Sequence, residues 1–403
     1  MVADWSGSLL AWEAELGRLK DQMGSVFPRV ELRRTAGLFI DGLLSGVERK
    51  TGWLMAEAAG LERPYRMQSL LGRSQWSAEA LRDWVRDYAL AALGDPDGVL
   101  VVDETGFVKK GEHSVGAARQ YTGTAGRIEN AQVGVFLAYA SRFGQTLIDR
   151  RLYLPESWAN DEKRRAGAYV PEAIGFATKV EMARDLIAAA LDAGAPCQWV
   201  LADAVYGVDS GFTSDAGGAP PALCAGGPLE PACARLDATA GVRRRHGGQP
   251  GRRSFRRKFC AAFRRPRLEG PQALQLGAGG ARMADGGGLR TLAVDPPQPR
   301  RGRQASLLSG LRAQRDDACG TRRPRAISAG LRWTIEECFE RAKGDLGLDH
   351  CEARSWHGWH RHITLVMAAA AFLAKLAADL RRSAFDPAKD KANERSPQSL
   401  PAV

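Results

Sequence analysis

Two short apolar runs, Val99 to Val102 and Trp199 to Ala202, each stop at an aspartate, Asp103 and Asp203. Runs of this kind read as strands, and a carboxylate at such a strand end stands where a ligand can reach it. Between them lie two more strand patterns rich in β-branched or aromatic residues, Gln132 to Tyr139 and Leu147 to Leu154, then a helical pattern, Lys179 to Ala193. Three strands, a helix and a further strand commit the chain to an α/β fold, with a mixed sheet and flanking helices.

A third acid has a helical setting. Glu336 lies in Arg-Trp-Thr-Ile-Glu-Glu-Cys-Phe-Glu-Arg-Ala-Lys (332–343), where Arg332, Glu336 and Lys343 fall at i, i+4 and i+11 and share one helix face. Carboxylate oxygens are hard ligands suited to Mg²⁺, with Mn²⁺ as a substitute, and two such ions about 4 Å apart can activate a water and stabilise a leaving oxygen. A carboxylate flanked by cations also suits a phosphate backbone. Asp103, Asp203 and Glu336 are therefore the candidate metal ligands and catalytic residues of a nuclease or strand-transfer enzyme. Taken singly, each has a plainer use: strand-end aspartates form turns, and helical glutamates are mostly solvated. Glu104 and Glu337 would point away from a site into which Asp103 and Glu336 point.

The Glu336 helix resembles that of the DDE transposases of bacterial insertion sequences, whose pattern is Y-x2-R-x3-E-x6-K. Arg332, Glu336 and Lys343 stand at the matching offsets, and Ala329 replaces the tyrosine. Other phrases of that family follow in its order: Asp-Glu-Thr-Gly-Phe-Val-Lys-Lys-Gly (103–111), Arg-Gln-Tyr-Thr-Gly (119–123), Leu-Tyr-Leu-Pro-Glu-Ser-Trp (152–158), Ala-Asp-Ala-Val-Tyr-Gly (202–207) and Gly-Trp-His-Arg-His-Ile-Thr-Leu (358–365). The resemblance covers residues 20–213 and 328–380. It implies a ribonuclease-H-like core, whose element order is the one read above and whose two aspartates come from adjacent central strands. It further implies two Mg²⁺ ions held by Asp103, Asp203 and Glu336, with no covalent intermediate, and Arg332 and Lys343 on phosphates at the transposon end. The implied partners are DNA, as terminal inverted repeats and target, and a second copy of the chain in a homodimer. A cytoplasmic, nucleoid-associated enzyme is expected.

Residues 1–95 read as an all-helical N-terminal domain that binds DNA. Leu9, Leu10, Trp12, Leu16 and Leu19 recur at helical spacing, and a second run spans Arg34 to Gly46. Glu48 to Leu71 divides into helix, turn and helix; a second helix in a major groove would present Arg66, Gln68 and Arg73. An ordinary helical bundle has the same pattern.

The core divides into 96–213, with both aspartates, and 328–383, with the Glu336 helix, before a tail at 384–403 that is expected to be disordered. Between these blocks, residues 214–327 change character. From 214 to 325 there is no Ile, Tyr, Trp or Asn, while Arg, Gly, Ala and Pro crowd in. Neither strand alternation nor helical periodicity is legible, and disorder is the expectation. High-GC coding DNA read out of frame yields this mixture. Residues 213–227 and 269–291 can each be back-translated so that a neighbouring frame carries strand-like text. A compensated pair of frameshifts, near codon 213 and near codons 320–328, would account for the stretch. It would replace the family's β-rich insertion and remove packing that places Glu336, leaving a catalytically dead DNA-binding remnant. A non-transposing metal-dependent nuclease is a third reading of the same triad.

The stretch 214–325 holds 22 Lys and Arg against 8 Asp and Glu, so it carries +14 of a chain whose total is +11, and the remainder stands at −3. The basic balance is thus weak evidence for a nucleic-acid partner. No run of 18 apolar residues and no basic-then-apolar leader is present, so no membrane partner is expected. Seven cysteines in 403 residues, with no C-x2-C spacing, read as incidental or buried thiols. His360 and His362, at i and i+2, do not share a helix face and read as core residues and not as a metal pair.

Overall fold

The computed structural model describes residues 5–202, 206, 232–235 and 333–384. Five helices come first: α1 (Trp5–Gly24), α2 (Val30–Leu44), α3 (Gly52–Ala58), α4 (Tyr65–Gly72) and α5 (Ala78–Leu93). Strands β1 (Val99–Val108), β2 (Ala118–Thr122), β3 (Arg127–Ser141) and β4 (Gly144–Leu152) follow. Then come α6 (Glu156–Ala159), α7 (Glu162–Gly167), α8 (Lys179–Asp192), β5 (Trp199–Ala202), β6 (Ala232–Arg235), α9 (Trp333–Gly344) and α10 (Trp356–Ala384).

The sheet runs β2-β3-β1-β5-β6, with β4 also on β3. β3 is antiparallel to β1, and β1 is parallel to β5, from Val99 opposite Trp199 to Val102 opposite Ala202. This is the mixed, ribonuclease-H-like sheet expected, and it makes neighbours of the two runs that end in aspartate. β2 is a strand that its sequence does not announce: it pairs through its backbone with β3, while Arg119 and Tyr121 stay in solvent.

Consecutive strand residues point to opposite faces, and the helices divide accordingly. α8 covers one face with Met182, Ala183, Leu186, Ile187 and Ala190. α9 and α10 cover the other, where Phe339 and Trp359 meet Phe136 of β3 at ring distances of 5.4 and 6.4 Å. Residues 361–369 of α10 are all buried, so this stretch of the helix is enclosed on every side. The sheet takes one side of α10, and α2, α4 and α5 take the other. By length and composition α10 could cross a membrane; in this fold it is the central core helix.

Residues 1–95 are expected to form a domain of their own, but residues from Leu19 on α1 to Leu93 on α5 share one hydrophobic cluster with the sheet and α10. Phe39 of α2 lies edge-on to His362 at 6.2 Å. The Arg361 guanidinium donates to the Leu71 and Trp76 carbonyls at 3.0 and 2.9 Å. A tethered domain would lack these contacts.

Ala232–Arg235 lies within the stretch expected to be disordered, yet it forms β6, antiparallel to β5 from Trp199 opposite Arg235 to Ala202 opposite Ala232. The expectation of disorder is wrong for these four residues. Adding a strand to a sheet edge needs only backbone donors and acceptors, which Ala-Cys-Ala-Arg supplies without any strand-like pattern. The rest of 214–325, the proposed frameshift points and the tail beyond Ala384 lie outside the described residues.

His360 and His362 are buried, and each bonds a backbone carbonyl, Trp356 O at 2.9 Å and Gly347 O at 3.0 Å. Burial pushes His360 down to about 3, where Arg150 further opposes protonation, and His362 down to about 4. In the unfolded chain both protonate near their ordinary 6.5. The unfolded state thus binds more protons below pH 6.5, and stability should fall by roughly 1 kcal/mol per pH unit for each histidine down to its folded pKa. Thermal unfolding followed by circular dichroism from pH 7 to pH 4 checks this, and His362→Gln should make the slope shallower whatever it does at pH 7.

Candidate active site

Among the described residues the β1–β5 ladder runs to Val102 and Ala202, and β1 continues to Val108 against β3. Asp103 is the first β1 residue beyond that ladder. It is the fifth of the ten residues of β1, not the strand end that the apolar run suggests, and it follows Val102, the last β1 residue paired with β5 among the described residues. Asp103 is half-buried, and its Oδ1 accepts the Glu104 N–H at 2.8 Å. Asp203 follows Ala202 directly in the chain; it and Arg332 lie outside the described residues.

α9 covers the face of β1 to which Asp103 points. Asp103, Thr105 and Phe107 share that face with Phe136, which stands opposite Asp103 and packs on Phe339 of α9. The buried stripe of α9 is Thr334, Ile335, Cys338, Phe339 and Ala342. At about 100° per residue, Glu336 and Lys343 fall on one flank of that stripe, and Glu337 and Arg341 fall on the other.

The two flanks meet different strands. Lys343 Nζ donates to Thr105 Oγ1 at 2.7 Å, Thr124 Oγ1 at 3.1 Å and the Gly106 carbonyl at 3.2 Å. Glu337 instead accepts from Gln145 Nε2 at 2.6 Å, at the start of β4, and from Arg341. Glu336 is thus the carboxylate on the β1 side. It is half-buried and makes no hydrogen bond or ion pair with the described residues. Phe339 marks the level of Asp103 through Phe136, and Glu336 lies one helical turn from it, about 4.5 Å along the axis.

Lys343, expected on a phosphate, has its ammonium hydrogens engaged by three protein oxygens, and burial pushes its pKa down, with Asp349 offsetting part of the shift. It pins α9 to β1 and to the β2–β3 turn. Gly106 permits this closure, because a Cβ there would lie 1.7 Å from Thr122 Oγ1. The phrase Asp-Glu-Thr-Gly therefore combines a candidate ligand, an anchor for Lys343 and a close approach of the hairpin.

Arg66, Gln68 and Arg73 are exposed on α4 and at its end, while Met67 and Leu70 are buried. α3 and α4 form the helix-turn-helix unit anticipated, with Thr51 accepting the Leu54 N–H at the start of α3. Arg66 also donates to Thr35 Oγ1 of α2 at 3.2 Å. These three residues are far along the chain from Asp103 and Glu336, and no contact joins the two groups among the described residues.

Sequence reasoning missed two partners of Glu104, which are Lys179 at 2.8 Å and the Tyr206 hydroxyl. One signal was available: a lysine at the first position of a helix opposes the helix dipole and calls for a nearby acid. Among the described residues no cluster of three His, Cys, Asp or Glu forms a metal site. Asp103 and Glu336 are hard oxygen donors with no thiolate or imidazole beside them in the described site, a set that fits Mg²⁺ or Mn²⁺ and not a zinc centre.

A family model described as DDE superfamily endonuclease matches residues 22–256. The probable transposase for insertion sequence element IS701 of Microchaete diplosiphon is 31% identical over 183 residues, 45% of this chain and 45% of that protein. The match thus spans less than half the length of that relative, and the family match stops before α9.

Proposed function

For a chain that belongs to the DDE superfamily endonucleases, we propose transposase activity: Mg²⁺-dependent DNA cleavage and strand transfer at the ends of an insertion sequence. The observation that carries this reading is the placement of Asp103 directly after the described β1–β5 pairs, with Glu336 on the flank of α9 that faces β1. With Asp203, next in the chain after Ala202, these carboxylates would hold two Mg²⁺ ions, or Mn²⁺ in their place. The bound ions would supply an activated water or 3′-hydroxyl and neutralise charge on the leaving oxygen. Lys343 would keep Glu336 in register with β1, and Arg332 would lie against a phosphate. Arg66, Gln68 and Arg73 would read terminal inverted repeats in a major groove. A homodimer that brings two ends to target DNA, working at the nucleoid in the cytoplasm, completes the reading. The name of the 31% identical relative supports it.

The composition of 214–325 favours a second reading, in which this copy is a frameshifted, catalytically dead remnant that still binds element ends. Loss of Ile, Tyr, Trp and Asn over that stretch supports it, and the family match running to residue 256 weighs against a break as early as codon 213. The nucleotide sequence across codons 205–335, read in three frames, decides the matter. A neighbouring frame carrying strand-patterned text is expected; an intact frame with no better alternative would sink the remnant. Plasmid nicking then separates the activities. Mg²⁺-dependent cuts at the element ends support the transposase, cuts without end preference identify a nuclease, and binding without cuts identifies the remnant.

A further inference from the structure

Glu104 follows Asp103 in the chain and points to the opposite face of β1. Its Oε1 accepts from Lys179 Nζ at 2.8 Å, and its Oε2 accepts from the Tyr206 hydroxyl. Lys179 is the first residue of α8, and Tyr206 stands three residues past Asp203, buried at 1% exposure. One carboxylate therefore joins the strand of the first aspartate to the segment that follows the second.

The helix start has no need of the lysine. Thr178 caps α8 by accepting the Glu181 N–H, and Glu181 returns the bond to the Thr178 N–H, a complete capping box. A cation at that position opposes the helix dipole. What Lys179 meets is Glu104 on one side and the Tyr153 ring, 5.7 Å from its ammonium, on the other. Among the described residues, β1 and β5 pair from Val99 opposite Trp199 to Val102 opposite Ala202. The Glu104–Tyr206 bond joins β1 to a residue four positions past Ala202.

We infer that Glu104 is a positioning residue which, through Tyr206 and Lys179, sets the spacing of the two aspartate-bearing stretches of chain. The inference rests on the reading of Asp103 and Asp203 as metal ligands. It places Glu104 outside the ligand set and gives it control over how tightly a divalent ion is held.

Titrating the full-length chain with Mn²⁺, with free ion followed by electron paramagnetic resonance, tests this without requiring turnover. Glu104→Ala and Tyr206→Phe should each weaken Mn²⁺ binding by about 10- to 100-fold, the usual cost of removing an outer partner of a metal site. Glu104→Gln, which still accepts from Tyr206, should recover most of the affinity, and melting of Tyr206→Phe should stay near that of the parent. Equal affinities in the parent, Glu104→Ala and Tyr206→Phe would overturn the inference while leaving the metal site standing. A parent chain that takes up no Mn²⁺ would overturn the metal reading and this inference with it. If Glu104→Ala does not fold, Tyr206→Phe, which deletes a single hydroxyl, decides between these outcomes.

Discussion

In a copy whose reading frame is intact from β5 to α9, Asp103→Asn and Glu336→Gln should each slow Mg²⁺-dependent nicking by about 10³-fold, while Glu337→Gln leaves the rate close to the parent's. The size follows from the loss of a charged oxygen donor: an ion's stabilisation of the transition state is several kcal/mol, and about 1.4 kcal/mol is tenfold in rate. The contrast between adjacent glutamates follows from α9. Glu336 shares its flank with Lys343, which is tied to Thr105 and Gly106, whereas Glu337 is turned to Gln145 of β4. A time course of supercoiled plasmid relaxation measures all three variants. Equal losses at 336 and 337, or a larger loss at 337, would reverse the assignment of faces.

The pairing of β1 with β5 was legible because an apolar run is a local pattern, but the carboxylate that stops the first run does not end the strand, which continues from Asp103 to Val108. Much of the text that resembles the family proves to be packing text. Trp158, from Leu-Tyr-Leu-Pro-Glu-Ser-Trp, is buried and donates to the Ala117 carbonyl at 2.8 Å. Trp359, from Gly-Trp-His-Arg-His, is buried against Phe107 and Phe136. What stayed hidden depends on residues far apart in the chain or on backbone alone. Lys343 reaches Thr105 across 238 positions, so helix spacing could show that it shares a face with Glu336 but not which acceptors it meets. β2 and β6 pair through backbone groups that no side-chain pattern reports. The union of α2 to α5 with the core was hidden for a similar reason: the apolar richness of α10 says that the helix is buried without saying by what.

That union has a charged seam, and opening it should cost about 3–5 kcal/mol of unfolding free energy in Arg82→Met, the range for stranding one member of a buried ion pair. Asp149 of β4 is 1% exposed. Both its oxygens accept from Arg82 Nη1 of α5, at 2.7 and 2.6 Å, and Oδ1 also takes the Arg150 N–H at 2.7 Å. The Arg150 side chain does not replace Arg82, since its guanidinium is 3.8 Å from Asp149 and is directed to Thr364 Oγ1 of α10 at 2.9 Å and to Glu79 of α5. Removing Arg82 therefore leaves a buried carboxylate with one backbone donor and a distant cation. Arg82→Met with Asp149→Leu removes both charges and should recover most of the loss, because neither buried charge is then left without its partner. Urea unfolding of the two single variants and the double gives the coupling; a loss below about 1 kcal/mol in Arg82→Met would place this seam among solvent-screened surface pairs. Because Arg82 lies on α5 and Asp149 on β4, the single variant loosens the N-terminal helices from the sheet. Nicking by a frame-intact copy should then lose its preference for element ends before it loses cleavage itself.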